Sequence, residues 1–249
     1  MTTAAKIIPL NQPINACADC ANLDFCPIRD TSKSLQSQLA DKMQKGRTLQ
    51  RDQQLFRAGD AARYVYFVRS GSFKQTVSTS DGVEQIVRFC LPGDVIGLEN
   101  IADDSHSNCT VALETSSVCR LNRQQLQALC AGDQELQQKL FDLVGKELVE
   151  QQTWMLQLAQ RTASERLAAF LLRLSEQQAH RGFSGNEFNL SMSRQDIANY
   201  LALAVETVSR LLTTFQNQGV LNIDRRRIRI DNREALEAAT LQPLVKQVA

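Results

Sequence analysis

The chain has 249 residues, 43% hydrophobic and 22% charged, with a formal net charge of +1 at pH 7. That is enough apolar material for one large core, or for two modest cores and a connector, and it excludes a disordered or fibrous chain. The start carries no export-signal pattern, and no run approaches the roughly 18 apolar residues of a membrane span. The seven cysteines are an odd number. These features argue against a membrane protein or a disulfide-stapled secreted scaffold, and the expectation is a cytoplasmic chain with reduced or metal-bound thiols.

In chain order the first feature is CADCANLDFC, which sets Cys17, Cys20 and Cys26 at x2 and x5 spacings. Thiolates at x2 spacing can share one metal centre, but three leave zinc or a cubane iron–sulfur cluster one ligand short. Cys90, Cys109, Cys119 and Cys130 are the candidates for a fourth. Of these, Cys90 in IVRFCLPG and Cys130 in LQALCAGD read as small core hydrophobes. Leu23, Phe25, Pro27 and Ile28 flank the run and would limit solvent access to a bound group.

From about 48 to 122 the sequence alternates in short segments such as YVYFVRSGSFKQTV and EQIVRFCLPGD, separated by glycine-containing turns. Strands at this spacing predict an antiparallel sandwich or roll. After Arg123 the chain becomes rich in Gln, Leu and Glu. Leu136, Leu140, Val144, Leu148, Met155 and Leu158 recur at three-to-four-residue steps, with Gln151 as the polar member. This predicts a long amphipathic helix. Such a stripe between two domains favours a helix-pair dimer through Leu140, Val144, Leu148, Gln151, Met155 and Leu158 over a helix lying on its own roll.

Within SMSRQDIANYLALAVETVSRLLTTFQNQGVL, the apolar set Ile197, Leu201, Val205, Val208, Leu211, Leu212 and Phe215 predicts two helices across a turn at 201–204, a helix-turn-helix. The second helix would enter the major groove with Glu206, Thr207, Ser209 and Arg210 turned away from the apolar stripe. Arg210 can donate a bidentate pair to guanine, Glu206 can accept from base amino groups, and Ser209 can bond to several edges. The plainer alternative is a solvated Glu–Arg surface pair. Next come Arg225, Arg226, Arg227 and Arg229, in a hairpin whose Ile228 and Ile230 would face the core, leaving Arg227 and Arg229 outward to grip phosphate. Charge divides accordingly: 16 Lys/Arg face 18 Asp/Glu over 1–160, whereas 10 face 6 over 161–230. A basic C-terminal segment on a near-neutral partner suits a nucleic-acid-binding module. His106 and His180 fall in unrelated loop-like stretches and are expected to be solvated, so nothing suggests an enzyme.

The CxxCx5C run, ALETSSVCRL, ERLAAFLLRLS, RGFS at 181–184 and NYLALAVETVSRLL occur in order along nearly the whole chain. Together they resemble the fumarate and nitrate reduction regulator family of the cyclic-AMP receptor protein superfamily. The resemblance implies an α+β chain in four parts. These are a cluster-ligating segment over 1–30, an antiparallel β-roll of the cyclic-nucleotide-binding jelly-roll kind over 31–130, a dimerisation helix over 131–163 and a winged helix-turn-helix over 164–249.

The same resemblance makes Cys119 the fourth ligand, so that Cys17, Cys20, Cys26 and Cys119 hold an oxygen-labile [4Fe–4S] cluster whose integrity favours the active homodimer. It carries Glu206, Ser209 and Arg210 over as the E-x-x-S-R base-reading residues, with double-stranded DNA bearing inverted TTGAT-like half-sites and RNA polymerase as partners. The superfamily's cyclic-AMP pocket uses an Arg-Ser pair after a Gly-Glu turn. Here Leu98 follows Gly97 and no Arg lies near 108–110, so a cyclic phosphate lacks its cation and no cyclic nucleotide is expected. Two departures stand out: Ala202 occupies the helix-turn-helix corner where relatives carry Gly, and Thr153 stands where relatives carry a carboxylate opposing dimerisation. A zinc-bound or thiol-redox regulator using the same four cysteines is the alternative. An iron–sulfur electron carrier would have no need of a base-reading helix.

Overall fold

Eight short strands fill the first half of the computed structural model, which describes residues 26–27 and 31–240. They are β1 (Gln44–Leu49), β2 (Gln54–Phe56), β3 (Tyr64–Ser70), β4 (Phe73–Ser78), β5 (Glu84–Cys90), β6 (Val95–Ile96), β7 (Cys109–Ala112) and β8 (Ser116–Asn122). Two four-stranded antiparallel sheets result, in the orders β1-β8-β3-β6 and β2-β7-β4-β5. The alternation of side chains along each strand decides what goes where. Tyr66, Val68 and Val118 turn inward to join Leu49, Phe56, Phe73, Cys90, Ile96 and Ala112. Cys90 is fully buried, and burial pushes its thiol well above the ordinary value, as the core reading of that residue expects.

The other face of the first sheet carries Val65 and Phe67, paired across to Leu121 and Cys119 respectively. It is roofed by Leu35 and Leu39 of α1 (Lys33–Lys42), Leu126 of α2 (Arg123–Gly132) and Leu136 of α3 (Gln134–Gln160). At the β3–β4 turn only glycine fits. Gly71 has φ +72°, and a Cβ there would lie 2.6 Å from the Thr115 carbonyl oxygen and 2.7 Å from Ser116 Cα.

α3 is 27 residues long, about 40 Å by helical rise. It is separated from α2 by Asp133, whose side chain accepts from Leu136 N at 3.0 Å, and it ends before Thr162, the capping-box residue of α4 (Ala163–His180). The C-terminal part adds α5 (Arg194–Leu201), α6 (Val205–Asn217) and α7 (Arg233–Ala238). Its three-stranded sheet runs in the order β10-β11-β9, from β9 (Glu187–Asn189), β10 (Leu221–Asp224) and β11 (Arg227–Ile230). Strand β9 makes the expected hairpin a three-stranded wing. The core of this part is continuous with the roll, because Ile86, Phe89 and Leu91 from β5 and its end pack into it.

His106 corrects an expectation. It is 2% exposed and stacks on Phe56 with ring centroids 3.6 Å apart and planes within 8°; His180, in the last turn of α4, is exposed. Burial holds the His106 imidazole below its ordinary value despite Glu99 and Asp60 nearby. The folded state therefore binds this proton later than the unfolded chain. The stability this confers is complete above the ordinary imidazole value of about 6.5 and is lost as pH falls from there through the lower folded value. Thermal unfolding should show a lower Tm at pH 5.5 than at pH 7.5, and His106→Phe, which keeps the stack and removes the titration, should narrow that difference.

Candidate nucleic-acid interface and cysteine face

α5 and α6 form the helix-turn-helix because each has a start signal and one apolar face. Ser193 and Asp196 close a capping box on α5, and Val208, Leu212 and Phe215 bury one side of α6. On the remaining side Glu206 and Arg210 are exposed and Thr207 and Ser209 half-buried. Glu206 and Arg210 are not joined in an ion pair among the described residues, and both face solvent. The first two turns of α6 offer a carboxylate, a hydroxyl and a guanidinium on one side, a donor and acceptor set suited to base edges.

In the wing, Ile228 and Ile230 are buried and Arg227 and Arg229 exposed, as the alternation requires. The charges are less open than the sequence suggests. Arg227 pairs with Glu187 of β9, and Arg229 with Asp231 at 2.6 Å. Arg226 donates to the Ser191 carbonyl at 3.3 Å, while Arg225 sits exposed in the turn at φ +53°.

Of the four proposed ligands, Cys17 and Cys20 lie outside the described residues. Cys26 and Cys119 come to one face of the roll. Cys26 packs on the cluster that includes Phe67, and Phe67 is the cross-strand partner of Cys119, whose side chain shares the outer face with Leu121. Both are half-buried. Cys109 is on β7 of the other sheet, and Cys130 packs from α2 with its thiol raised by burial and by Asp133. No group of three metal-ligating side chains occurs among the described residues.

α3 shows two faces. Leu136, Leu140 and Leu143 line the crevice against α1 and the first sheet. The adjoining side is bare: Phe141 is 64% exposed, Leu148 55% and Met155 68%, with Val144 and Gln151, which also edge the cleft toward β5, exposed and Leu158 half-buried. Phe141, Val144, Leu148, Gln151, Met155 and Leu158 alternate steps of three and four, the spacing that a two-helix seam uses. Phe141 therefore leads the stripe and Leu140 turns toward its own roll. Thr153 does not lie on this stripe; its hydroxyl donates to the Val149 carbonyl at 2.8 Å, and Gln151 is the stripe's polar member.

Residues 165–239 match the Crp-like helix-turn-helix domain and residues 46–133 the cyclic nucleotide-binding domain. The fumarate and nitrate reduction regulatory proteins of Escherichia coli K12 and Vibrio cholerae are each 40% identical to the chain. The first aligns over 88% of both chains, the second over 94% of this chain and 93% of the relative. The chain belongs to the fumarate and nitrate reduction regulator family. Among solved structures, FixK2 from Bradyrhizobium japonicum aligns with a TM-score of 0.75 and 34% identity over 81% of this chain and 98% of that one. A CRP-family regulator from Thermus thermophilus shares the fold at 21% identity and a TM-score of 0.65, over 80% and 99%. The chain is thus a DNA-binding transcription regulator of the CRP/FNR type and not an enzyme. Among the described residues no helix is long and apolar enough to cross a membrane.

Glu99 and Arg88 both line the cleft between roll and α3. Glu99 accepts from Gln75 and Asn108, both at 2.8 Å, and from the Gly97 amide at 2.9 Å. A carboxylate therefore fills the turn after Gly97. Arg88 lines the same cleft but is engaged by Glu147 at 2.8 Å and by the Val95 carbonyl at 3.1 Å.

Phe141 lies three residues before Val144 and so shares the helical period of the stripe, whereas the place of Glu99 needs the fold. Ala202, at the corner the sequence marks, adopts φ +52°, ψ +50° between α5 and α6. A left-handed alanine costs on the order of 1 kcal/mol. Ala202→Gly should raise Tm by a few degrees in calorimetry with the helix-turn-helix intact.

Proposed function

We propose that the chain is an oxygen-responsive regulator of anaerobic gene expression that binds palindromic DNA as a homodimer while a [4Fe–4S] cluster is bound by Cys17, Cys20, Cys26 and Cys119. The convergence of Cys26 and Cys119 on one face of the roll carries this reading. All four donors are soft thiolates, the ligand type such clusters take. When bound, the cluster supplies oxygen-labile iron–thiolate ties between the N-terminal segment and β8. The chain's own residues supply the rest. Cys26 packs on the same apolar cluster as Leu136 and Leu143 of α3, so the N-terminal segment and the start of the dimer helix share one packed environment.

On the far side of α3, Phe141, Val144, Leu148, Gln151, Met155 and Leu158 would be covered by the same stripe of a second copy, which relieves the exposure of several large apolar side chains at once. Each protomer then offers Glu206, Ser209 and Arg210 to one half-site of a TTGAT-like inverted repeat, with Arg225, Arg226 and Arg227 toward phosphate and RNA polymerase as the transcriptional partner. No arginine lies near 108–110 and Arg88 in the cleft is already paired with Glu147, so a cyclic phosphate lacks a free cation and this reading includes no cyclic nucleotide ligand. It also sets the chain in the cytoplasm.

Protein purified without oxygen should be brown with about four irons per chain, as a cubane cluster requires, and should bleach in air. Cys119→Ser should abolish the colour; a colourless protein carrying one zinc would instead mark the cysteines as a structural or thiol-redox site. Sedimentation gives a separate check. Leu148→Lys, which sets a charge in the seam, should shift the reduced protein to monomer at micromolar concentration and weaken binding to the palindrome. Arg210→Ala should leave the dimer intact and cost about 1–3 kcal/mol against a cognate half-site, with relaxed preference at a single base position.

A further inference from the structure

Strand β5 ends its sheet, so its outer edge carries backbone groups with no neighbouring strand. The reading head occupies that edge. Asn199 Oδ1 accepts from the Ile86 amide at 2.6 Å, and its Nδ2 donates to the Glu84 carbonyl at 2.8 Å. Gln85 returns the contact, its Nε2 donating to the Asn199 carbonyl at 2.6 Å. One side-chain amide thus stands in for a strand partner.

Asp196, one turn earlier in α5, accepts from Lys74 Nζ of β4 at 2.6 Å, while its other oxygen accepts from the Ser193 amide at 2.9 Å and caps the helix. Tyr200, the next residue after Asn199, is buried and stacks on Trp154 of α3 with centroids 4.1 Å apart and planes within 6°. The same β5 strand reaches α3 directly through the Arg88–Glu147 pair at 2.8 Å. A single edge strand is therefore bound to both the dimer helix and the first helix of the reading head.

We propose that Asn199, supported by the Lys74–Asp196 pair, is a positioning residue for DNA reading: it clips α5 to the open edge of β5 and so fixes the direction in which α6 is presented. α6 follows α5 after three residues and packs against it through buried Val208, so it turns with α5. In a dimer on a palindrome, two such heads must meet half-sites about 34–36 Å apart. A change in the angle of α5 changes that spacing. The inference rests on the dimeric DNA-binding reading and deepens it, since Asn199 lies outside the base-reading set.

Trp154 is the one tryptophan of the chain, so its emission reports the seating of α5 directly. In the full-length protein, Asn199→Ala should shift that emission to the red. It should also weaken binding to a cognate palindrome on the order of tenfold, the equivalent of about one strong hydrogen bond. Its preference for that palindrome over one with an added central base pair should shrink, an effect a mere loss of folded protein would not produce. Lys74→Ala, which leaves the sequence of α5 and α6 untouched, should move all three readouts the same way and guards against a folding defect. Wild-type protein that binds no palindrome at all would overturn the dimeric reading. A wild-type that binds with a spacing preference, beside variants that keep its emission, affinity and preference, would overturn the positioning role alone.

Discussion

Tyr200 is where the parts of the chain meet. It is 1% exposed, flanked by Trp154 from the long helix, Phe89 from the roll and Phe170 from α4, and its hydroxyl accepts from Arg173 at 2.7 Å. Aromatic rings pack with defined geometry and bury large areas, so a cluster of four fixes orientation as well as proximity. The apolar body seats α5 against roll and helix, and the polar tip finds a partner without reopening the core. Because α6 follows α5 after only three residues, the direction of its exposed side chains is inherited from this junction.

The long helix meets two incompatible demands by dividing them between its sides. Leu136, Leu140 and Leu143 hold it to the roll near its start, which ties it to the face carrying Cys26 and Cys119. Phe141, Leu148 and Met155 stay on the other side in a stripe that a single chain leaves uncovered. Side chains three to four residues apart share a face, so one helix can present both surfaces along the same few turns.

Local charge in the structure is more committed than a count of residues suggests. Two of the wing arginines spend much of their charge on Glu187 and Asp231, and the polar cleft beneath the long helix is satisfied internally by Glu99, Asn108 and Gln75. In the cleft a carboxylate is held by neutral donors beside the paired Arg88.

Much of this was legible in the sequence because it depends on period and local chemistry. Period-two strands with glycine corners gave the roll, a three-to-four stripe gave the long helix, and the apolar set from Ile197 to Phe215 with alternating Ile228 and Ile230 gave the winged helix-turn-helix. The left-handed corner at Ala202 and the burial of Cys90 were readable for the same reason. Other features required the folded chain. Neighbouring phases of one helical stripe differ by a single residue, so only packing against the roll decides that Leu140 turns in, Phe141 turns out and Thr153 leaves the seam. His106 looks like a loop residue until Phe56, 50 positions away, stacks on it. Asn199 has no local signal at all, because its partners Glu84 and Ile86 lie more than 110 residues earlier and become an open edge only when the sheet ends at β5. Residue type and spacing thus determined the elements and their chemistry; long-range contacts, which no local pattern encodes, decided which side chains face one another.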